Sequence, residues 1–177
     1  MLDRIEKALE VVHQIAEREL LAASRTDGDG LTAAQIRVLR HVHLHRRPSV
    51  RSIAEGLMVS PPAATQLVNK LVAKGLVARS ERKEDRRAVD VELTPRGRRL
   101  ARRLMAERRK HLSRLLSRMP AAAREELVRG LEALIGATLS DEHTIHGACL
   151  RCGSRHAGHC PVNEASYRVL GTERIHV

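Results

Sequence analysis

The stretch "SPPAATQLVNKLVAKG", residues 60–75, decides how this chain is read. Ser60 is a good N-cap, and Pro61 suits the first helical position, where a backbone N–H would have no partner in any case. Gly75 ends the helix. Ala64, Leu67, Val68 and Leu71 recur at three- and four-residue spacing and form one apolar face. Pro62, Thr65, Gln66, Asn69 and Lys70 form the opposite face. The side chains on that face are mostly short and polar, which suits close approach to another surface.

The segments on either side give this helix its setting. Upstream, "LTAAQIRVLRHVHLH" opens on Thr32, with Gln35 placed to complete a capping box, and Ile36, Leu39 and Val42 make an inner stripe. After the "RRP" break, Ser49 caps a short helix running to about Gly56. Downstream the period changes. A strand-like run covers residues 76–79, a charged turn "SERKEDRR" follows, and alternation resumes at Val89, Val91 and Leu93. Helix, short helix, capped helix and hairpin, in that order, describe a winged helix-turn-helix.

Longer helices flank this unit. Leu2, Ile5, Leu9, Val12, Ile15 and Ala16 mark an N-terminal helix that "RTDGDG" breaks. An Arg-rich helix runs from Pro95 to about Arg118, with Leu100, Leu104, His111, Leu112, Leu115 and Leu116 approximating its inner face. Pro120 opens another, striped by Leu127, Leu131, Leu134 and Ile135. The expected class is mainly α with a small β-hairpin wing. Four segments are expected: residues 1–30 and 96–139 as flanking helices, 31–95 as the winged unit, and 140–177 as a tail.

Composition narrows the function. The 177 residues include no Phe, no Trp and one Tyr, so Leu, Val, Ile and Ala must build the core. No apolar run is long enough to span a bilayer, and "MLDRIEKALE" lacks the pattern of a signal peptide, so a cytoplasmic location is the expectation. The net charge is +11. Beyond residue 139 the arginines and the acidic residues cancel, so the excess sits on the winged unit and its flanking helices. Such an excess points to a polyanionic partner, with duplex DNA ahead of a membrane surface.

In that setting the helix at 60–75 enters the major groove, where base edges present distinct donor and acceptor patterns. Ser60, Thr65, Gln66 and Asn69 are suited to hydrogen bonds with bases or phosphates, and the helix N-terminus attracts a phosphate. The hairpin tip, with Arg82, Lys83, Arg86 and Arg87, reaches the neighbouring minor groove or the flanking phosphates. Asp85 pairs with Arg87 across the turn and orients it.

"LTAAQIRVLRHV", "SIAEGLMVSPPAATQLVNKLVAKGLVARS" and "KEDRRAVDVELTPRG" together resemble the MarR family of bacterial winged-helix transcription regulators over residues 31–100. The resemblance implies a homodimer on a pseudo-palindromic operator, usually acting as a repressor. It implies groove contacts from Ser60, Pro62, Thr65, Gln66 and Lys70 and wing contacts from Asp85, Arg86 and Arg87. It makes residues 1–30 and 95–139 dimerisation helices. It also implies release of DNA by a small effector, often phenolic, in a cleft between the dimerisation and DNA-binding parts, or by cysteine oxidation or metal binding. The chain departs from the family in two respects: no Phe, Tyr or Trp precedes Tyr167, and the chain runs well past the usual last helix.

That extension contains "CLRCGSRHAGHCPV", from Cys149, with every cysteine of the chain. Cys149 and Cys152 have the spacing of a metal-chelating knuckle, and Cys160 adds a third sulfur. His156 or His159 completes a tetrahedral zinc set, and His143 and His146 lie just before it. Zinc is the first expectation. An iron–sulfur cluster, with a fourth ligand from elsewhere, is the alternative, and Cys160 followed by Pro161 fits it. A thiol redox switch without metal is a further alternative, since Arg151 and Arg155 favour thiolate. The metal is expected to staple a tail too polar to bury itself, or to serve as a sensor. A zinc enzyme would need an open coordination position and a general base such as Glu142 or Glu164. No His-Glu-x-x-His motif accompanies them, so a regulator and not an enzyme is the reading.

Overall fold

The computed structural model describes residues 1–25, 30–45, 47–81, 89–152 and 160–172, with the side chains of residues 16–25 and 81 excepted. Among these residues the order is α1 (Leu2–Arg25), α2 (Ala33–Leu44), α3 (Val50–Leu57), α4 (Pro61–Ala73), β1 (Val77–Glu81), β2 (Val89–Leu93), α5 (Pro95–Ser117), α6 (Ala121–Thr138), α7 (Glu142–Cys152) and α8 (Pro161–Leu170). No described helix is long and apolar enough to cross a membrane.

The helix starts follow their caps. Thr32 Oγ1 accepts from the Gln35 N–H at 3.3 Å while Gln35 Oε1 accepts from the Thr32 N–H at 2.9 Å, which closes the capping box. Ser49 accepts from the Ser52 N–H at 3.1 Å and Ser60 from the Ala63 N–H at 3.4 Å. The turn between α3 and α4 is made by Met58, whose φ of 56° puts a non-glycine residue in the left-handed region. The Val59 N–H then bonds back to the Ala54 carbonyl at 3.0 Å.

β1 and β2 pair antiparallel from Val77↔Leu93 to Glu81↔Val89. Ser49 bridges Asp90, and the Val91 N–H donates to the Pro48 carbonyl at 2.9 Å, so the entry to α3 is tied to the second strand. The core beneath is aliphatic throughout. Val38, Leu39, Ile53, Val68, Leu71, Leu76 and Val91 are fully buried, and Leu100 and Leu104 of α5 join them.

Thr94 joins the hairpin to α5. Its hydroxyl accepts from the Gly97 N–H at 3.0 Å and donates to the Gly75 carbonyl at 2.8 Å, and its own N–H donates to the Leu76 carbonyl at 3.1 Å. These contacts give a physical reason for the Thr-Pro-x-Gly sequence: a cap, a proline at the first helical position, and a residue with no β-carbon where the helix meets the chain.

The stripes read as inner faces of α1 and α6 are largely exposed in the single chain, whereas Leu100 and Leu104 of the α5 stripe are buried. Leu2, Ile5, Leu9, Val12 and Ile15 on α1, and Leu127, Leu131 and Leu134 on α6, are all more than 40% accessible, and α6 has no buried residue. Leu112 on α5 is likewise open.

The extension differs from the polar tail expected of it. It forms two helices and buries a small apolar cluster of its own, in which Leu139, Ile145, Val162 and Ala165 are packed by Ile135, Ala148, Cys149, Cys160 and Leu170. Asp141 caps α7 by accepting from the Thr144 N–H at 2.9 Å, and that hydrogen bond holds its carboxyl below the usual range. α8 runs from Pro161 to a left-handed Gly171 and packs on α6, where Arg168 donates to the Gly136 carbonyl at 2.9 Å. α7 packs on α3. The extension therefore touches both a flanking helix and the winged unit.

Candidate nucleic-acid interface

On α4 the two faces separate as the spacing requires. Ala64, Val68 and Leu71 are buried and Leu67 packs against them, while Ser60, Pro62, Gln66, Asn69 and Lys70 are exposed. Thr65 differs from these: it is half-buried, and its hydroxyl donates to the Pro61 carbonyl at 2.9 Å. Its oxygen keeps acceptor capacity, but its proton is engaged within the helix. The first turn of α4 has no spare N–H to offer the expected phosphate: Pro61 and Pro62 carry none, the Ala63 N–H donates to Ser60 Oγ, and the Ala64 N–H donates to the Ser60 carbonyl at 3.0 Å, so only the helix dipole favours an anion there.

The hairpin stem stands beside this helix. Glu92 on β2 accepts from Ser80 at 3.0 Å and pairs with Arg47 at 2.7 Å, linking both strands to the segment before α3. Arg79 is exposed on β1. Neither Arg47 nor Arg79 was singled out by periodicity, because an isolated arginine in a basic chain carries no spacing signal. The tip residues Arg82, Lys83, Asp85, Arg86 and Arg87, with the expected Asp85–Arg87 pair, lie outside the described residues.

In the extension, Cys149 and Cys152 sit three residues apart in the final turn of α7, on one face, and Cys160 occupies the N-cap position of α8. The motif read as a knuckle thus begins as the end of a helix. All three are half-buried, and Cys149 and Cys160 border the same small cluster. His143 and His146 are exposed on α7, whereas His156 and His159 lie outside the described residues. Among the described residues no group of three His, Cys, Asp or Glu side chains is arranged to hold a metal ion.

Between the winged unit and the flanking helices runs a cleft of about 260 Å³. His41, 5% exposed, borders it against Gly56, where a β-carbon would come 2.3 Å from the imidazole. Burial, then His45 and Arg40, lower the pKa of His41 to about 3. The His45 ring lies against it, with centroids 4.1 Å apart. The Arg40 guanidinium donates to the Cys152 carbonyl at 3.4 Å, so α2 grips the end of α7 at the edge of this cleft.

Residues 29–88 match the model of the MarR family. The chain is 32% identical over 117 residues to the HTH-type transcriptional repressor MdtR of Bacillus subtilis, covering 66% of this chain and 74% of that one. It is 34% identical over 105 residues to the HTH-type transcriptional repressor Rv2887 of Mycobacterium tuberculosis, covering 59% of this chain and 76% of the repressor. In the crystal structure of Rv2887 the likeness spans 73% of this chain and 92% of that one, with a TM-score of 0.58 at 31% identity. The fold is also that of Streptococcus pneumoniae FabT, solved in complex with DNA, with a TM-score of 0.68 at 19% identity over 76% of this chain and 94% of FabT.

Proposed function

The chain belongs to the MarR family of winged helix-turn-helix transcriptional regulators, and on that premise we propose that it is a repressor that binds a pseudo-palindromic operator as a homodimer. The observation that carries the reading is the exposed polar face of α4 beside the hairpin stem, on a chain whose charge excess is +11. The relatives named as repressors and the DNA-bound FabT support it. Dimerisation is supported by the apolar stripes of α1 and α6, which a single chain leaves in water. A two-fold dimer presents two α4 helices, and the operator mirrors that symmetry.

The direct test is selection of bound duplexes from a random library, followed by affinity measurements across salt concentrations. An inverted repeat bound by two chains is expected. If about eight phosphates are neutralised, the log–log salt slope is about −7. No enriched sequence, a flat salt response or a single chain per duplex would reject the reading.

The extension in this reading carries one zinc ion, or in second place one iron–sulfur cluster, on Cys149, Cys152 and Cys160, with His156 or His159 as the fourth zinc ligand. Support comes from two thiols on one helix face and a third at the start of the helix packed on it. The rival is a thiol redox sensor without metal, favoured by Arg151 beside Cys152. Elemental analysis and a visible spectrum of anaerobically purified protein separate them. One equivalent of zinc without colour, visible absorption with iron, and neither metal are the three signatures.

A further inference from the structure

We propose that the outer face of α5 is a second nucleic-acid surface, which holds the phosphate backbone of a duplex other than the one against α4, so that the protein bridges two DNA segments. The proposal goes beyond the repressor reading and rests on it only where an operator is named.

Most of the charge excess sits on this one helix. α5 carries nine lysines and arginines against Glu107 alone, and nine less one is +8 of the net +11. The hairpin with its turn, residues 77–93, holds five basic and five acidic side chains, which cancel, and α4 contributes only Lys70. The elements expected to touch the operator therefore account for little of the excess.

The cations of α5 form a stripe. Arg98, Arg99, Arg102, Arg109 and Lys110 are all exposed, on the side of the helix away from the buried Gly97, Leu100, Ala101 and Leu104. From Arg98 to Lys110 the stripe is about 18 Å long. Arg98 and Arg99 each lie within one turn of Arg102, and like charges at that spacing repel. Their field reaches α2, where burial, then Arg102 and Arg98, lower the pKa of His43. A polyanion laid along the stripe relieves this repulsion and releases its own counterions.

The stripe also starts at the wrong end of the winged unit to share the operator. Arg96 donates to the Lys74 carbonyl, at the C-terminal end of α4, at 2.9 Å. Arg98 donates to the Leu93 carbonyl, at the foot of the hairpin, at 3.3 Å. A groove helix reads bases from its N-terminal residues, and a wing from its tip. α4 alone separates the two ends by roughly 20 Å.

Chemistry selects a duplex as the occupant. No Phe, Tyr or Trp precedes Tyr167, so the stripe has no ring on which single-stranded bases could stack. Between its cations stands Ala106, not the large apolar or aromatic anchor on which protein interfaces centre. A duplex backbone presents phosphates, and a cationic helix meets them without either.

The test has two arms. In the first, fluorescence anisotropy follows a labelled duplex of random sequence binding to full-length protein whose α4 face is impaired by Gln66→Ala, Asn69→Ala and Lys70→Ala. Adding Arg99→Gln, Arg102→Gln and Lys110→Gln, at exposed helical positions where circular dichroism should show the fold kept, should weaken binding about tenfold and make the log–log salt slope shallower by about 3. Equal affinity with and without the α5 changes would overturn the surface. Poly-glutamate that competes as well as duplex at matched charge would overturn DNA as the occupant in favour of an acidic protein segment. In the second arm, immobilised operator saturated with unmutated protein should capture a labelled random duplex. The protein carrying only the three α5 changes should bind the operator as before and capture none. No capture by the unmutated protein, or equal capture by the variant, would overturn bridging. The first arm needs no operator, so failure of the repressor reading is distinguishable from failure of the surface.

Discussion

Gly97 lies so close to the carbonyl of Leu76 that a β-carbon built on it would fall 1.8 Å from that oxygen. With Thr94, the contact fixes α5 to the junction of α4 and β1, so the long helix and the winged unit share one rigid joint. Backbone cannot step aside as a flexible side chain would. Gly97→Ala should therefore cost about 2–4 kcal/mol of stability, measured by urea denaturation. Gly130 on α6 is the control, since a β-carbon there meets nothing within 4 Å. Gly130→Ala should be stabilising by about 0.5–1 kcal/mol through helix propensity. Equal midpoints for the Gly97 variant and the unmutated protein would remove the joint from the argument.

On the DNA face, two kinds of loss should be distinguishable. Gln66→Ala and Asn69→Ala should each weaken operator binding by about 1–3 kcal/mol and relax the preference at one base position. Lys70→Ala should weaken all duplexes alike and reduce the salt slope by about 1. Arg87→Ala should also cost about 1–3 kcal/mol. Asp85→Ala should weaken binding too if the carboxylate orients Arg87, whereas removal of a negative charge alone predicts tighter binding. Electrophoretic mobility shifts at several salt concentrations give all five answers, and tighter binding by Asp85→Ala would reject the pairing.

In the proposed reading the extension has two separable supports, the metal and its own apolar cluster. Replacing Cys149 and Cys152 with serine should abolish metal or cluster content, and acidification should lower occupancy because the thiols must be deprotonated to bind. The cluster around Ile145 is a support that does not depend on metal. Ile145→Ala should cost about 2–5 kcal/mol locally and expose the extension to protease, even with the cysteines intact. Unchanged metal content in the serine variant would assign the thiols another purpose.

His41 makes stability depend on pH. Its folded pKa of about 3 lies below the ordinary value of 6.5, so below about 6.5 the unfolded chain takes up a proton that the folded chain refuses. The contribution is complete above that point and falls by up to about 1.4 kcal/mol per pH unit toward pH ~3. His41→Gln removes this dependence. From about pH 6.5 to pH 5 the unmutated protein should lose roughly 2 kcal/mol more than the variant in urea midpoints converted to free energy. Parallel losses in the two proteins would show that the imidazole titrates normally.

How much of this was legible depended on whether the signal was local. The caps at Thr32, Ser49 and Ser60, the two faces of α4 and the hairpin all follow from residues within a few positions of each other. In the extension the boundaries were equally local: Asp141 before Thr144, Pro161 at a first turn, Gly171 at an end. The cysteine and histidine spacing of a knuckle competes with these helix signals over the same residues. The role of Gly97 and the hold of Arg40 on the Cys152 carbonyl are different in kind. They arise from elements far apart in the chain, so no spacing rule reaches them.

The core without Phe or Trp has an optical consequence. The chain's one tyrosine, Tyr167, sits about half-exposed on α8. Near-ultraviolet dichroism and intrinsic fluorescence of the side chains therefore come from the extension alone, and changes in the winged unit reach them only through the packing of α7 on α3. This places a built-in reporter on the last described helix. With the core dark in that region, the tyrosine signal reports on α8 alone.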